Sequence, residues 1–410
     1  MTRQAALYHP PLMLNTDKIG LFLVTIMIFF GSIVIIEPSP YDVMSLLAIP
    51  FLGFTGFKVK RGLAFFILII TIYEIGGFTA LIPHFNRSDA VTFQLLSFYL
   101  YITSLFFAFF FSQNSIVRLN LCLKAYAGGA VIAALCGIVG YFDIGGTAPY
   151  FTLYTRASGT FKDPNVFGSY LILGALFLMQ RILLGQTKHF FVSLTSLVIL
   201  IIGVVLSFSR GSWGAMIFSS ACMILFGYLT ADNFVMRKRI VSASIIAVGA
   251  AILGLIILLS FENMREFFIQ RASITQDYDS GETGRFGNQI RSISMLLDRP
   301  LGFGPLLFRN WFGIEPHNSY INAFASCGWL GGLAFIALVS STFYVGFRLC
   351  FRPSPYRRIS QVAWPALMVL LLQGFQIDID HWRHVFLLFG IVWGLEAARQ
   401  EWEKQECERH

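Results

Sequence analysis

The chain has 410 residues, 56% of them hydrophobic and 13% charged, with a mean hydropathy of +0.68. That is too apolar for a soluble globule of this size, and apolar runs of ~20 residues exclude the ~10-residue alternation of an outer-membrane barrel. The net charge of +8 therefore sorts loops between the two sides of a membrane and is not a nucleic-acid footprint.

The first apolar run, 19–36, exceeds the core of a cleaved signal, and Glu37-Pro38-Ser39-Pro40 follows it in place of a small-residue cleavage site. It reads as the first span. Further runs fall at about 43–57, 62–82, 91–111, 117–142, 165–184, 190–208, 211–230, 240–260, 319–347, 362–377 and 384–398. The expected architecture is all-α: a polytopic protein of about twelve transmembrane helices, one integral domain over 1–410, with one large polar loop at 261–318. Lys58, Lys60 and Arg61, Arg118 and Lys124, Arg181 and Lys188, Arg237 to Arg239, and Arg348 to Arg358 then share one side. By the positive-inside bias that side is cytoplasmic, as are both termini, and the 261–318 loop is periplasmic. The six cysteines, Cys122, Cys136, Cys222, Cys327, Cys350 and Cys407, show no disulfide or zinc spacing and read as small core residues.

The outer side should be poor in arginine, yet it holds Arg156, Arg210, Arg265, Arg271, Arg285, Arg291, Arg299, Arg309 and Arg383. Guanidinium is always charged and grips phosphate with paired hydrogen bonds, so a cluster points to a site for an anion. The plainer alternative pairs the loop arginines with Glu262, Glu266, Asp277, Asp279, Glu282 and Asp298. Arg210 sits at a tight turn between spans, in Ser209-Arg210-Gly211. Arg156 precedes a turn-rich stretch that includes Lys162 and ends at Pro164-Asn165, where a helix N-terminus favours an anion. Snorkelling to headgroups is the alternative for both. His317 opens the tenth span and can take a proton at neutral pH, and Asn318 beside it can orient a hydroxyl-bearing ligand. An interfacial anchor is the plainer role. His381 and His384 are three apart without further ligands of suitable spacing, so no metal is expected there. Glu74 is a carboxylate well inside a span, costly in lipid and a functional suspect for that reason.

Taken together these blocks resemble the O-antigen ligase and O-antigen and exopolysaccharide polymerase superfamily of bacterial envelope enzymes. Arg156 to Asn165 is similar to its Gly-x-Phe-x-x-Pro-Asn run and Ser209-Arg210-Gly211 to its Ser-Arg-Gly turn. His317-Asn318, nine residues, then Gly328-Trp329-Leu330-Gly331 resembles the ligases' histidine motif, and Arg291 with Gly302 matches Arg-x10-Gly. The resemblance implies a C-type glycosyltransferase-like architecture at the periplasmic face of the inner membrane, independent of metal and cofactor. The implied donor is an undecaprenyl-diphosphate-linked glycan, and the acceptor a lipid A-core hydroxyl for a ligase or a lipid-linked glycan for a polymerase. The implied catalytic residues are His317 as base with Arg210 and Arg291, and the implied substrate contacts are Arg156, Lys162, Asn165, Arg285 and Asn318. The histidine block favours the ligase. A secondary transporter, the reading from another class, expects half-to-half repeats and matched midplane ionisable residues, of which the sequence shows one, Glu74, with its polar groups concentrated at the outer surface instead.

Overall fold

Inside lipid a chain must satisfy its own backbone, and long apolar runs do so as helices. The computed structural model describes residues 16–55, 59–272 and 284–408; Lys58, Asp277, Asp279, Glu282 and the Arg271 side chain lie outside them. In chain order the helices are α1 (Thr16–Phe30), α2 (Pro40–Thr55), α3 (Ala64–Leu81), α4 (Ser88–Phe111), α5 (Ser115–Tyr141), α6 (Ala148–Phe151), α7 (Pro164–Leu183) and α8 (Phe190–Leu206). They continue as α9 (Arg210–Leu229), α10 (Phe234–Ser260), α11 (Glu262–Ala272), α12 (Arg285–Leu297), α13 (Phe308–Phe312), α14 (Ser319–Phe351), α15 (Arg357–Gln373) and α16 (Arg383–Cys407). A two-stranded hairpin, β1 (Thr152–Leu153) against β2 (Arg156–Ala157), lies between α6 and α7.

The protein is an all-α polytopic membrane protein. Every apolar run in the sequence falls on a long helix. Among the described residues six helical stretches are long and apolar enough to cross a membrane, Arg61–His84, Ser88–Phe111, Ser115–Tyr141, Pro164–Leu183, Arg210–Leu229 and Ser319–Phe351, with shorter apolar helices at Pro40–Phe54 and Phe190–Leu206. The first helix stops at Phe30, well before the end of its apolar run. Residues beyond it cross to the 156–165 loop, where Val34 N–H donates to Thr160 O at 2.9 Å. The 261–318 loop is not irregular throughout, since it folds α11, α12 and α13.

Buried polar contacts tie distant helices together. Arg383 of α16 grips Asp42 of α2 with both arms, Nε to Oδ1 at 2.9 Å and Nη2 to Oδ2 at 2.7 Å. Ser39 Oγ donates to the same carboxylate at 2.9 Å and Tyr99 Oη of α4 at 3.1 Å. Both charges are thereby satisfied, the condition for burying them. Glu74 is buried on α3 and accepts from Gln94 Nε2 at 2.9 Å. A second helix carboxylate, Glu396, is held by Arg399, Nε to Oε2 at 2.8 Å.

Helix α14 is broken inside by Gly328, at φ +65° and ψ −169°. The break frees Ala325 O, which accepts from Phe303 N–H at 2.8 Å and Gly304 N–H at 3.1 Å, while Trp329 N–H donates to Pro300 O at 2.8 Å. The 299–304 turn thus docks into the helix and meets the groups it exposes. Gly302, at φ +71°, lies where a Cβ would press on the Phe324 and Ala325 carbonyls, and a Cβ on Gly328 would collide with Pro300 O. Both glycines belong to the sequence motifs. Left-handed backbone costs an ordinary residue about 1–3 kcal/mol, before any clash. Gly328→Ala should therefore lower the thermal midpoint of the purified protein by several degrees, and Gly254→Ala, with nothing within 4 Å of its added Cβ, should leave that midpoint nearly unchanged.

Candidate functional site

Two helix starts build the floor of the site. Asp163 caps α7, its carboxylate accepting from Asn165 N–H at 2.6 Å and Val166 N–H at 3.3 Å, with Pro164 at the first helical position. That geometry turns Asn165 Oδ1 toward Arg156, whose Nη2 donates to it at 2.8 Å while Nε donates to Ser207 O at 2.8 Å. Arg156 is buried between the end of α8 and the start of α7. Ser209 caps α9, its Oγ accepting from Ser212 N–H at 3.3 Å, and Arg210 is the first residue of that helix. Phe208, at φ +45°, makes the turn between α8 and α9.

Arg156, Asn165, Arg210 and Arg285 come together around a cavity of about 150 Å³, with Gln373 and Gln376 completing its wall. Arg285 enters from the start of α12 and is anchored by Nη1 donating to Gln376 O at 3.0 Å. Three guanidinium groups and the N-terminal ends of α7 and α9 face one small space, which favours an anion with several oxygens. The cavity shares Arg210, Arg285, Gln373 and Gln376 with a larger groove of about 580 Å³, lined by Phe218, Phe286, Val369 and Leu372. Charge thus gives way to apolar surface along one continuous path.

Gln373 escaped the sequence reading, its only signal being a lone amide in the 362–377 apolar run. Its Oε1 accepts from Ser169 Oγ at 2.9 Å, and Ser169 in turn meets Ser212 Oγ at 3.1 Å. Its buried Nε2 has no hydrogen-bond partner among the described residues. A buried donor held in place by its own acceptor atom is a preset contact for a ligand oxygen.

His317 stands beside this cavity and does not line it. Gln289 Nε2 of α12 donates to Pro316 O at 2.8 Å, and His317 itself is left-handed at φ +46°. Asn318, expected to meet substrate, instead caps α14: Oδ1 accepts from Tyr320 N–H at 3.0 Å and Ile321 N–H at 3.1 Å, and Nδ2 donates to Phe375 O at 3.3 Å. Asp378, three residues before His381, was not singled out in the sequence. Its Oδ1 accepts Asn318 N–H at 3.0 Å and its Oδ2 lies 3.5 Å from His317 Nδ1. Hydrogen bonding to Asp378 holds the His317 pKa above its ordinary value, against burial and the nearby Arg285 charge. With Nδ1 turned to Asp378, Nε2 is the nitrogen left to meet a substrate.

Other candidates are placed elsewhere. Arg291 bonds Asn288 Oδ1 and sits 5.8 Å from the centre of the Phe312 ring; Lys162 pairs with Glu37 at 2.9 Å. Arg265 pairs with Glu262 at 3.7 Å and Arg309 with Glu315 at 3.4 Å, the plain role open to the loop arginines. His381 packs at a tilt against Phe93, ring centres 4.3 Å apart, and His384 is buried against Tyr170 at 5.5 Å. Among the described residues no group of three or more His, Cys, Asp or Glu side chains could hold a metal ion.

A family model described as O-antigen ligase matches residues 195–336. The match contains Arg210, Arg285, Arg291 and His317, while Arg156, Asn165, Gln373 and Asp378 lie outside it. Among curated proteins none matches the chain. Because Asp378 raises the His317 pKa, Asp378→Asn should move the imidazole titration to lower pH, through the loss of a charge-assisted contact. Histidine-selective NMR of the solubilised protein reads this directly, and an unmoved titration would remove Asp378 from the role of orienting group.

Proposed function

We propose, from the match of residues 195–336 to a family model described as O-antigen ligase and from the site, that the protein transfers a glycan from undecaprenyl diphosphate to an acceptor hydroxyl at the periplasmic face of the inner membrane. The observation that carries this reading is the cationic cavity of Arg156, Arg210 and Arg285 opening into an apolar groove. An amphipathic lipid diphosphate has that same division of charge and hydrocarbon.

In the transfer the acceptor oxygen forms a bond to the anomeric carbon as the bond from that carbon to the diphosphate oxygen breaks. The electron pair leaves with the diphosphate. Fixed guanidinium groups, aimed before the reaction, stabilise that growing charge without reorganising. The acceptor proton passes to His317 Nε2, and Asp378 stabilises the imidazolium that results. Attack opposite the leaving group inverts the anomeric centre. Lipid A-core is the acceptor we favour, on the spacing of His317-Asn318 to Gly328 and Gly331; a second lipid-linked glycan would make the protein a polymerase with the same site.

Proteoliposomes supplied with undecaprenyl-diphosphate-linked glycan and EDTA, with lipid A-core in one arm and carrier-linked glycan alone in the other, test this. Product on lipid A-core identifies a ligase, longer carrier-linked chains a polymerase, and no transfer by folded protein in either arm ends the proposal. Arg210→Ala and His317→Ala should each lower turnover by about a hundredfold or more, the usual cost of losing a charge-stabilising or proton-accepting group. Gln373→Met should lower kcat/KM for the donor by about tenfold, the value of one hydrogen bond to a charged oxygen; unchanged kinetics would mean that the amide does not meet the donor.

A further inference from the structure

Helix α12 is built inside out for a soluble helix. The residues it turns to the protein are mostly polar: Asn288, Gln289 and Ser292 are buried, with Leu296 beside them. Gln289 bonds Pro316 O, and Asn288 Nδ2 donates to Phe312 O at 3.4 Å. Its apolar residues point away: Phe286 is 46% exposed, Ile290 71%, Ile293 51% and Leu297 66%.

At roughly 100° per residue these four side chains fall within a stripe about 60° wide, about a third of a turn from the protein-facing side. Arg291 and Ser294 occupy a third face, farther round. A helix with separate protein, apolar and polar faces fits the boundary where protein, hydrocarbon and water meet.

What covers the stripe is indicated by its neighbours. Trp329 Nε1 donates to Leu296 O at 2.8 Å, fastening the end of α12 to α14, a helix long and apolar enough to cross a membrane. Trp329, Leu330 and Leu333 of α14 are themselves exposed, so the stripe continues the apolar surface of a membrane-crossing helix. Tryptophan is enriched at that level of a bilayer.

We propose that α12 is an interfacial helix, its Phe286, Ile290, Ile293 and Leu297 stripe seated in the lipid leaflet on the cavity side, at the boundary of headgroups and acyl chains. The leaflet then reaches the cavity from the side, because Phe286 also lines the groove and Arg285, one residue before it, lines the cavity. This placement is independent of the reaction proposed above.

Nitroxide labels at Ile290→Cys, Ile293→Cys and Ser294→Cys, in the full chain reconstituted in phospholipid nanodiscs, test it once the signal of the labelled wild-type chain is subtracted. The expected result is severalfold greater relaxation by lipid-partitioned oxygen than by an aqueous nickel chelate at 290 and 293, with the reverse at 294. Nickel accessibility at 290 and 293 equal to that at 294 would overturn the proposal. Shielding from both reagents would overturn it equally, by showing that a second copy or another protein covers the stripe.

Discussion

The demand that a backbone buried from water keep all its hydrogen bonds governs how α14 can begin at the site and still cross lipid. The helix breaks at Gly328, and the 299–304 turn supplies the partners that the break exposes, with Phe303 and Gly304 donating to Ala325 O. That docking fixes the end of α12, whose last turn meets Trp329. From α12, in turn, Arg285 reaches the cavity and Gln289 holds the residue before His317. Without the break the loop would have no seat, and two of the groups around the site would lose their support.

Around the cavity, like charges are brought close, and neutral acceptors take part of the cost. Arg156 is bonded to Ser207 O and Asn165 Oδ1, and Arg285 to Gln376 O. Arg383, at the same end of the bundle, is fully matched by Asp42. The contrast separates two settings for an arginine. Arg383 is gripped by a carboxylate and holds helices together; Arg156, Arg210 and Arg285 gather around one small space, where a multiply charged anion would be favoured.

Much of the fold was legible because membrane spans announce themselves by length and hydropathy, and each apolar run fell on a helix. The Arg156 to Asn165 block and the Ser209-Arg210-Gly211 turn were legible for a related reason: each is a local helix start, with caps and turn residues close in sequence. Gln373 and Asp378 were not, since their partners Ser169 and His317 lie 204 and 61 residues away. The capping role of Asn318 was not legible either, because a short amide next to a candidate base serves equally as ligand contact or helix cap. The orientation of α12 was hidden as well. Its alternation of apolar and polar residues gives the helix but not which face meets the protein, and in a membrane the usual rule of apolar side inward does not hold.

The clasp between Asp42 and Arg383 joins the second helix of the chain to the last. Synthesis runs from the N-terminus, so α2 must wait in the bilayer until α16 emerges before its carboxylate meets its partner. Gln373 and Asp378 arrive just ahead of that helix. The arginines therefore stand in place early, while the donor amide and the carboxylate beside His317 follow much later. Assembly is thereby ordered: a nascent chain stalled just before α16 has made every residue of the site and still lacks the clasp that braces the bundle.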